Sequence, residues 1–221
     1  MGIFLFLSSL FISTPVYGGT FAKCVRSGVA VLTIDDGVND STHKVLDALK
    51  ENKTPATFFL IGETLKSDRG VNVLHRLKNE QHEVGNHSWS HPYLPKIKNK
   101  TFKLEILNTQ NVLSSITHTK LFRPPYGALT SQQTTKIKEM KYRVIGWNMD
   151  LKDWQEQKSK KRMWGSFVSQ LKKTNATKDS IILLLHSTKK TAEMLPDLIM
   201  GLKWHGYNII PLAECIPDRE K

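Results

Sequence analysis

Val29-Ala30-Val31-Leu32-Thr33-Ile34-Asp35-Asp36-Gly37 is an apolar run of strand length that stops on two adjacent carboxylates and a glycine. Val and Ile favour the pleated backbone, and a run without polar alternation fits a strand buried on both faces. Gly37 permits a sharp turn just beyond. In parallel α/β proteins the C-terminal ends of strands gather ligands and catalytic groups, so two acids here invite a functional reading. Asp-Gly is also an ordinary turn pair, and the stretch alone does not choose.

Outward from this strand, apolar runs and helical patterns alternate. Ala56–Ile61, Glu83–Asn86, Leu121–Arg123, Arg143–Trp147, Ser180–Leu185 and Tyr207–Ile210 read as further strands. Between them, Val45/Leu46/Leu49, Val73/Leu74/Leu77, Phe102/Ile106/Leu113, a weaker pattern over Thr130–Met140, Met163/Phe167/Leu171 and Leu195/Leu198/Leu202 recur at helical spacing. Pro196 is expected in the first turn of the last helix, where a missing N–H costs nothing. About seven such units predict an α/β fold with a parallel sheet and right-handed crossovers: a distorted (β/α) barrel, with a doubly wound open sheet as the alternative. No Gly-x-Gly-x-x-Gly follows any strand, which argues against a dinucleotide site.

The unusual polar residues fall at strand ends. Asp35-Asp36, His87, Arg123, Asp150 and His186 each come at or just after the C-terminal end of a strand or its extension. In a closed parallel sheet these ends share one rim. His87 and His91, four apart, can present two imidazoles to one ion, and Asp36 is available as a third ligand. Two histidines and a carboxylate suit a catalytic divalent metal with open positions; zinc fits, as do other transition ions. Such an ion beside a second carboxylate implies water activation, with one of the adjacent acids ligating and the other serving as base. His186 is then the natural general acid, Arg123 a partner that keeps a carboxylate ionised, and Asp150 a group to orient an imidazole.

The chain has 221 residues, enough for one domain with a sizeable core. Residues 1–18 contain no Asp, Glu, Lys or Arg, and Ile3–Ile12 is almost wholly apolar; with Pro15-Val16-Tyr17-Gly18 this reads as a secretory signal peptide, leaving 19–221 as the mature domain. The apolar run is short for a bilayer span, no later one is long enough, and the expected location is secreted or periplasmic. Only two cysteines occur, Cys24 and Cys215, near the two ends of that domain; an oxidising compartment predicts a disulfide between them. Formal net charge is +12, with clusters around Lys96–Lys103, Lys136–Arg143 and Lys158–Arg162. This field favours polyanions, and for a secreted protein an anionic cell-wall surface comes before any specific nucleic acid.

Thr33-Ile34-Asp35-Asp36-Gly37, His87-Ser88-Trp89-Ser90-His91, Arg123-Pro124-Pro125-Tyr126-Gly127, Asp150-Leu151-Lys152-Asp153-Trp154 and Leu184-Leu185-His186 together resemble the five ordered motifs of polysaccharide deacetylases, the NodB-homology or carbohydrate esterase family 4 enzymes. The resemblance spans residues 29 to 212. It implies a distorted barrel and metal-dependent removal of N-acetyl groups from sugars. Carried over by position, Asp35 is the base, Asp36, His87 and His91 hold the metal, and Arg123 positions the base. Pro124 and Pro125 shape the groove wall, the Tyr126 N–H stabilises the oxyanion, Asp150 tunes His186 as acid, and Trp154 and Leu184 enclose the acetyl methyl. Ile34 stands where Phe is commoner, Val38 where Pro is frequent, and Ser187 where an Asp often follows the last His. The expected function is deacetylation of N-acetylglucosamine units in peptidoglycan or chitin-type glycans; the alternative is a silent wall- or carbohydrate-binding protein on the same fold.

Overall fold

Alternation along one strand divides the core in two. In β2 (Val29–Asp36), Ala30, Leu32 and Ile34 pack beneath helices with Val45, Leu46, Leu195 and Leu198, whereas Val29 and Val31 face an inner cluster with Phe59, Ile145 and Ile182. Successive side chains point to opposite faces, so one strand supplies both the helix-covered layer and the barrel interior. The computed structural model describes residues 20–216; the signal sequence expected at 1–18 lies outside the described residues.

The remaining strands are β1 (Thr20–Phe21), β3 (Thr57–Leu60), β4 (Glu83–Asn86), β5 (Leu121–Phe122), β6 (Arg143–Ile145), β7 (Met149–Asp150), β8 (Ile181–His186) and β9 (Asn208–Ile209). The helices are α1 (Thr42–Glu51), α2 (Asp68–Asn79), α3 (Asn99–Leu113), α4 (Ser131–Glu139), α5 (Lys160–Leu171), α6 (Lys189–Trp204) and α7 (Leu212–Cys215). Four helices start where the sequence supplies a hydroxyl: Ser67, Thr130, Ser159 and Thr188 accept from the N–H groups of Gly70, Gln133, Arg162 and Thr191.

All strand pairs are parallel, in the order β1-β6-β5-β4-β3-β2-β8-β7, with β9 also on β2. This sheet cannot be flat. Ile145 ends β6 and Met149 begins β7, four residues on and six strands away along the ladder. Four chain steps reach about 15 Å at most, whereas six strand spacings in a plane cover about 29 Å. The sheet curls until β6 and β7 nearly meet, giving the expected distorted barrel rather than an open sheet. Two strands beyond the seven read from sequence, β1 and β7, have only two residues each, too few to carry a period.

Pro196 corrects an expectation: it is the eighth residue of α6, not in its first turn. An interior proline costs about 3 kcal/mol. The helix tolerates it because Ala192, Met194, Leu195, Leu198, Ile199 and Leu202 are all buried along its inner face, and each large apolar side chain buried returns about 1.5–3 kcal/mol.

The N-terminal end of the barrel is stoppered. Leu212, Cys215 and Ile216 of the last turn join Val29 and Val31 in the inner cluster. The Glu83 carboxylate accepts from the N–H groups of Leu212 and Ala213 and from the Thr57 hydroxyl. Cys24 and Cys215 form the expected disulfide, closing 191 residues of chain. Cys215→Ser should therefore lower stability by about 2–5 kcal/mol. Denaturant midpoints with and without reductant check this: reductant should shift the wild type to the level of the variant and leave the variant where it was.

Candidate active site

Asp35 and His186 are register partners on adjacent strands β2 and β8, and both point into the barrel above Thr33 and Leu184. Asp35 is 4% exposed. Its Oδ1 accepts from Arg123 Nη1 at 2.7 Å. Arg123 is wholly buried just beyond β5; it also donates to Thr33 Oγ1 and to the carbonyls of Ile145 and Gly146, and its guanidinium lies 4.3 Å from the centre of the Phe59 ring. Burial pushes the Asp35 carboxyl up, against the pull of Arg123 and His186. Burial likewise pushes Arg123 down, against Asp35. A carboxylate raised in this way and held by a fixed cation is a stronger base than one in water.

Asp36 leaves the strand with φ 82, so it reaches the rim instead of the helix layer. Its Oδ1 lies 3.6 Å from His87 Nε2 and 3.5 Å from His91 Nε2, and the three donor atoms fall within 4.8 Å of one another. His87 Nδ1–H donates to the Arg123 carbonyl at 2.7 Å, which leaves the Nε2 lone pair facing Asp36. Burial first, then the neighbouring His91, drives the His87 imidazole down to about 3, so it is neutral as a metal ligand must be. The donor set is thus chemically fit for a divalent ion. The loop that carries both histidines hangs on Glu105, which sequence reading missed. Its carboxylate accepts from Trp89 N, Ser90 N and Ser90 Oγ. The available signal was an acid on the apolar stripe of α3, where a buried Glu needs donors to satisfy it.

The partner of His186 is Asp153, and this corrects the role expected of Asp150. His186 Nδ1 donates to Asp153 Oδ1 at 2.8 Å and its main-chain N–H to Oδ2 at 2.7 Å. Thr191 Oγ1, in the first turn of α6, donates to the same Oδ2. Asp150 ends β7 with its carboxylate turned to the N–H of Lys152. Lys152 then adopts φ 50, and the chain turns Asp153 inward to zero exposure. Two ammonium groups strap this loop: Lys158 to the Leu151 carbonyl, and Lys190 to those of Gln155 and Lys158. Part of the basic cluster at 158–162 is therefore occupied internally, with Lys160 also paired to Glu193.

The other expected residues line the same mouth. Pro124 and Pro125 are buried, and Tyr126, at φ 57, is 61% exposed with its ring 4.7 Å from that of His91. Leu184 is buried beneath His186, and Trp154, next to Asp153, is 53% exposed.

The sequence model of the polysaccharide deacetylase family matches residues 22–145. The chain belongs to this family. It is 34% identical over 141 residues to a peptidoglycan-N-acetylglucosamine deacetylase of Bacillus cereus, covering 62% of this chain and 50% of that one. It is 33% identical over 190 residues to a peptidoglycan-N-acetylmuramic acid deacetylase of Bacillus subtilis, covering 84% and 38%. The chain thus spans half or less of the length of these two relatives. Among solved structures, the chitin deacetylase of Colletotrichum lindemuthianum superposes with a TM-score of 0.81 at 25% identity, over 94% of this chain and 93% of that one.

The deacetylase match contains Asp35, Asp36, His87, His91 and Arg123 but ends before β7. The His186–Asp153 arm lies beyond that family match, and its pairing is read from the geometry of this structure. Burial alone would lower the His186 imidazole; the bond and charge of Asp153, with the charges of Asp35 and Asp36, outweigh it and raise it to about 9. The folded chain then holds this proton more tightly than the unfolded one. The resulting stability is complete below about 6.5, the unfolded value, and is lost as pH rises through about 9. In metal-free protein, NMR titration should find His186 still protonated well above the ordinary histidine range. Asp153→Asn should lower it, because burial is then opposed only by the charges of Asp35 and Asp36. An unchanged titration in that variant would contradict the assignment.

The cluster of Asp36, His87 and His91 generates a separate expectation. Isothermal titration with zinc should find one site per chain, weakened by about 100-fold or more in His87→Ala.

Proposed function

We propose that this chain is a metal-dependent hydrolase that removes the acetyl group from N-acetylglucosamine units of a glycan, with Asp36, His87 and His91 holding the ion. The observation that carries the reading is the pairing, on adjacent strands, of a raised carboxylate, Asp35, with a protonated imidazole, His186, beside those three donors. Two titratable groups whose surroundings push them towards opposite tasks are what acid–base catalysis needs.

A divalent ion bound here supplies Lewis acidity to water and to the acetamide carbonyl, and two imidazoles with one carboxylate suit zinc. The protein's own groups account for the protons. Asp35, fixed by Arg123, takes one from the attacking water as the new C–O bond forms. His186, fixed by Asp153, gives one to the amide nitrogen as the C–N bond breaks, leaving acetate and a free amine. The Tyr126 N–H belongs to a left-handed turn packed against His91, in keeping with a donor to the oxyanion. Leu184 and Trp154 supply apolar surface beside His186 for the acetyl methyl.

For the glycan we favour peptidoglycan over chitin. A net charge of +12 suits a polymer that carries carboxylates, and two relatives named above act on peptidoglycan. We take residues 1–18 as a secretory signal and 19–221 as the catalytic domain, which puts the activity outside the cytoplasm; the Cys24–Cys215 disulfide accords with an oxidising compartment.

The test is acetate release, followed by mass spectrometry, from peptidoglycan fragments and chitin oligomers side by side. Metal-loaded protein should release acetate, with peptidoglycan preferred. Chelator should abolish release, and Asp35→Asn or His186→Ala should lower kcat by about 10²–10⁴-fold. Glycan binding without release from any substrate would instead establish the silent binding protein, and full activity in Asp35→Asn would remove the base from the mechanism.

A further inference from the structure

The end of the barrel opposite the mouth differs from it in charge. The segments that lead from helices back into strands, 50–56, 78–83, 114–120, 138–143, 172–180 and 203–207, hold eleven Lys or Arg against five Asp or Glu. The segments around the mouth, 35–41, 61–67, 87–98, 123–130, 146–159 and 186–188, hold six against seven. The excess charge of the chain is thus concentrated away from the catalytic groups.

Part of it surrounds a shallow depression of about 450 Å³ lined by Thr174, Asn175, Thr177 and His205. Lys172, Lys173, Lys178 and Lys203 stand around it, all exposed, and none forms an ion pair among the described residues. Trp204, the last residue of α6, is 89% exposed here, with Met200 one turn earlier at 52%. Val25, which donates its N–H to the Cys215 carbonyl on the same rim, is 67% exposed. An indole left almost wholly in water forgoes the burial that a ring of its size would gain in the core, and it sits among cations where an apolar body and a polar tip can both be used.

The depression is open to solvent, and Trp204, Met200 and Val25 are exposed on this face rather than lining it. An extended anionic surface fits this arrangement. We propose that this basic rim docks the protein on an anionic phospholipid surface, with the four lysines against lipid phosphates, Trp204 and Val25 at headgroup depth, and the catalytic mouth facing away. Docked in this way, the enzyme would present Asp35 and His186 to glycan lying beyond the membrane. The inference concerns the face opposite the active site and does not depend on which glycan is cleaved.

Hydrogen-exchange mass spectrometry of the full chain with phosphatidylcholine vesicles, with and without phosphatidylglycerol, tests it. Segments 172–178 and 203–206 should exchange more slowly on the anionic vesicles only, while the mouth segments 87–98 and 146–159 stay unprotected. K172Q/K173Q/K178Q/K203Q should weaken partitioning onto the anionic vesicles by at least about 100-fold at low salt, since each lysine near such a surface contributes about 1 kcal/mol. Acetate release from soluble fragments should be unchanged in that variant. Equal protection on neutral vesicles, protection of the mouth, or wild-type partitioning by the variant would overturn the proposal. So would protection by soluble polyphosphate but not by vesicles, which would assign the rim to a polymer.

Discussion

The structure depends on one buried ion pair. Arg123 and Asp35 meet inside the barrel with almost no exposure between them, where removing either charge from water costs several kcal/mol. The pair survives because the arginine's donors find acceptors from separate parts of the wall: Asp35 and Thr33 on β2, Ile145 on β6, and Gly146 just past it. Phe59 and Trp147 flank the guanidinium. Strands that meet at a common cation cannot slide in register without leaving a charge unpaired, so the interaction that holds the Asp35 carboxylate also restrains the curl of the sheet. The same segment serves the other half of the site, because the Arg123 carbonyl sets the tautomer of His87.

The layers follow from this. β2 gives alternate residues to two environments, and the site lies where the alternation runs out. Asp35 keeps the inward phase and joins Arg123, while Asp36 breaks phase by adopting φ 82 and joins the histidines. Two neighbours in sequence thus acquire different surroundings, one dry and one half-open, from a single backbone dihedral. On the far side, Leu212, Cys215 and Ile216 close the barrel, leaving the mouth as the route to Asp35.

Much of this was legible in the sequence, for a physical reason. Asp35, Asp36, His87, Arg123 and His186 end or follow apolar runs, and a polar residue closing such a run marks the strand's end and its rim together. What escaped was set by short-range geometry or by long-range packing. Asp150 and Asp153 are three apart on one turn, and the choice between them rests on Lys152 entering the left-handed region. β1 and β7 have two residues each and exist only because a neighbouring edge accepts them. Glu105 sits on the buried stripe of α3, and its purpose shows only when the loop above it supplies three donors. Pro196 reads as a helix starter until the burial of α6 outweighs its cost.

The distribution of strained backbone supports the same division. Among the described residues, Lys53, Gln81 and Lys141 have positive φ just past the ends of α1, α2 and α4, where a left-handed residue commonly terminates a helix. Asp36, Ser88, His91, Tyr126 and Lys152 have positive φ at the mouth. A non-glycine side chain in that region costs about 1–2 kcal/mol, and at the mouth no helix end requires it. Several of them shape the mouth: Asp36 and His91 turn donor atoms into the cluster with His87, Tyr126 sets its ring against His91, and Lys152 makes the turn that delivers Asp153. Ser88 turns the chain within the histidine loop, where its hydroxyl accepts from His91 N–H. Glycine would relieve the strain at any of the five but would remove the side chain and loosen the turn. The barrel, locked by its buried pair and stoppered base, is rigid enough to hold these conformations against their own preference.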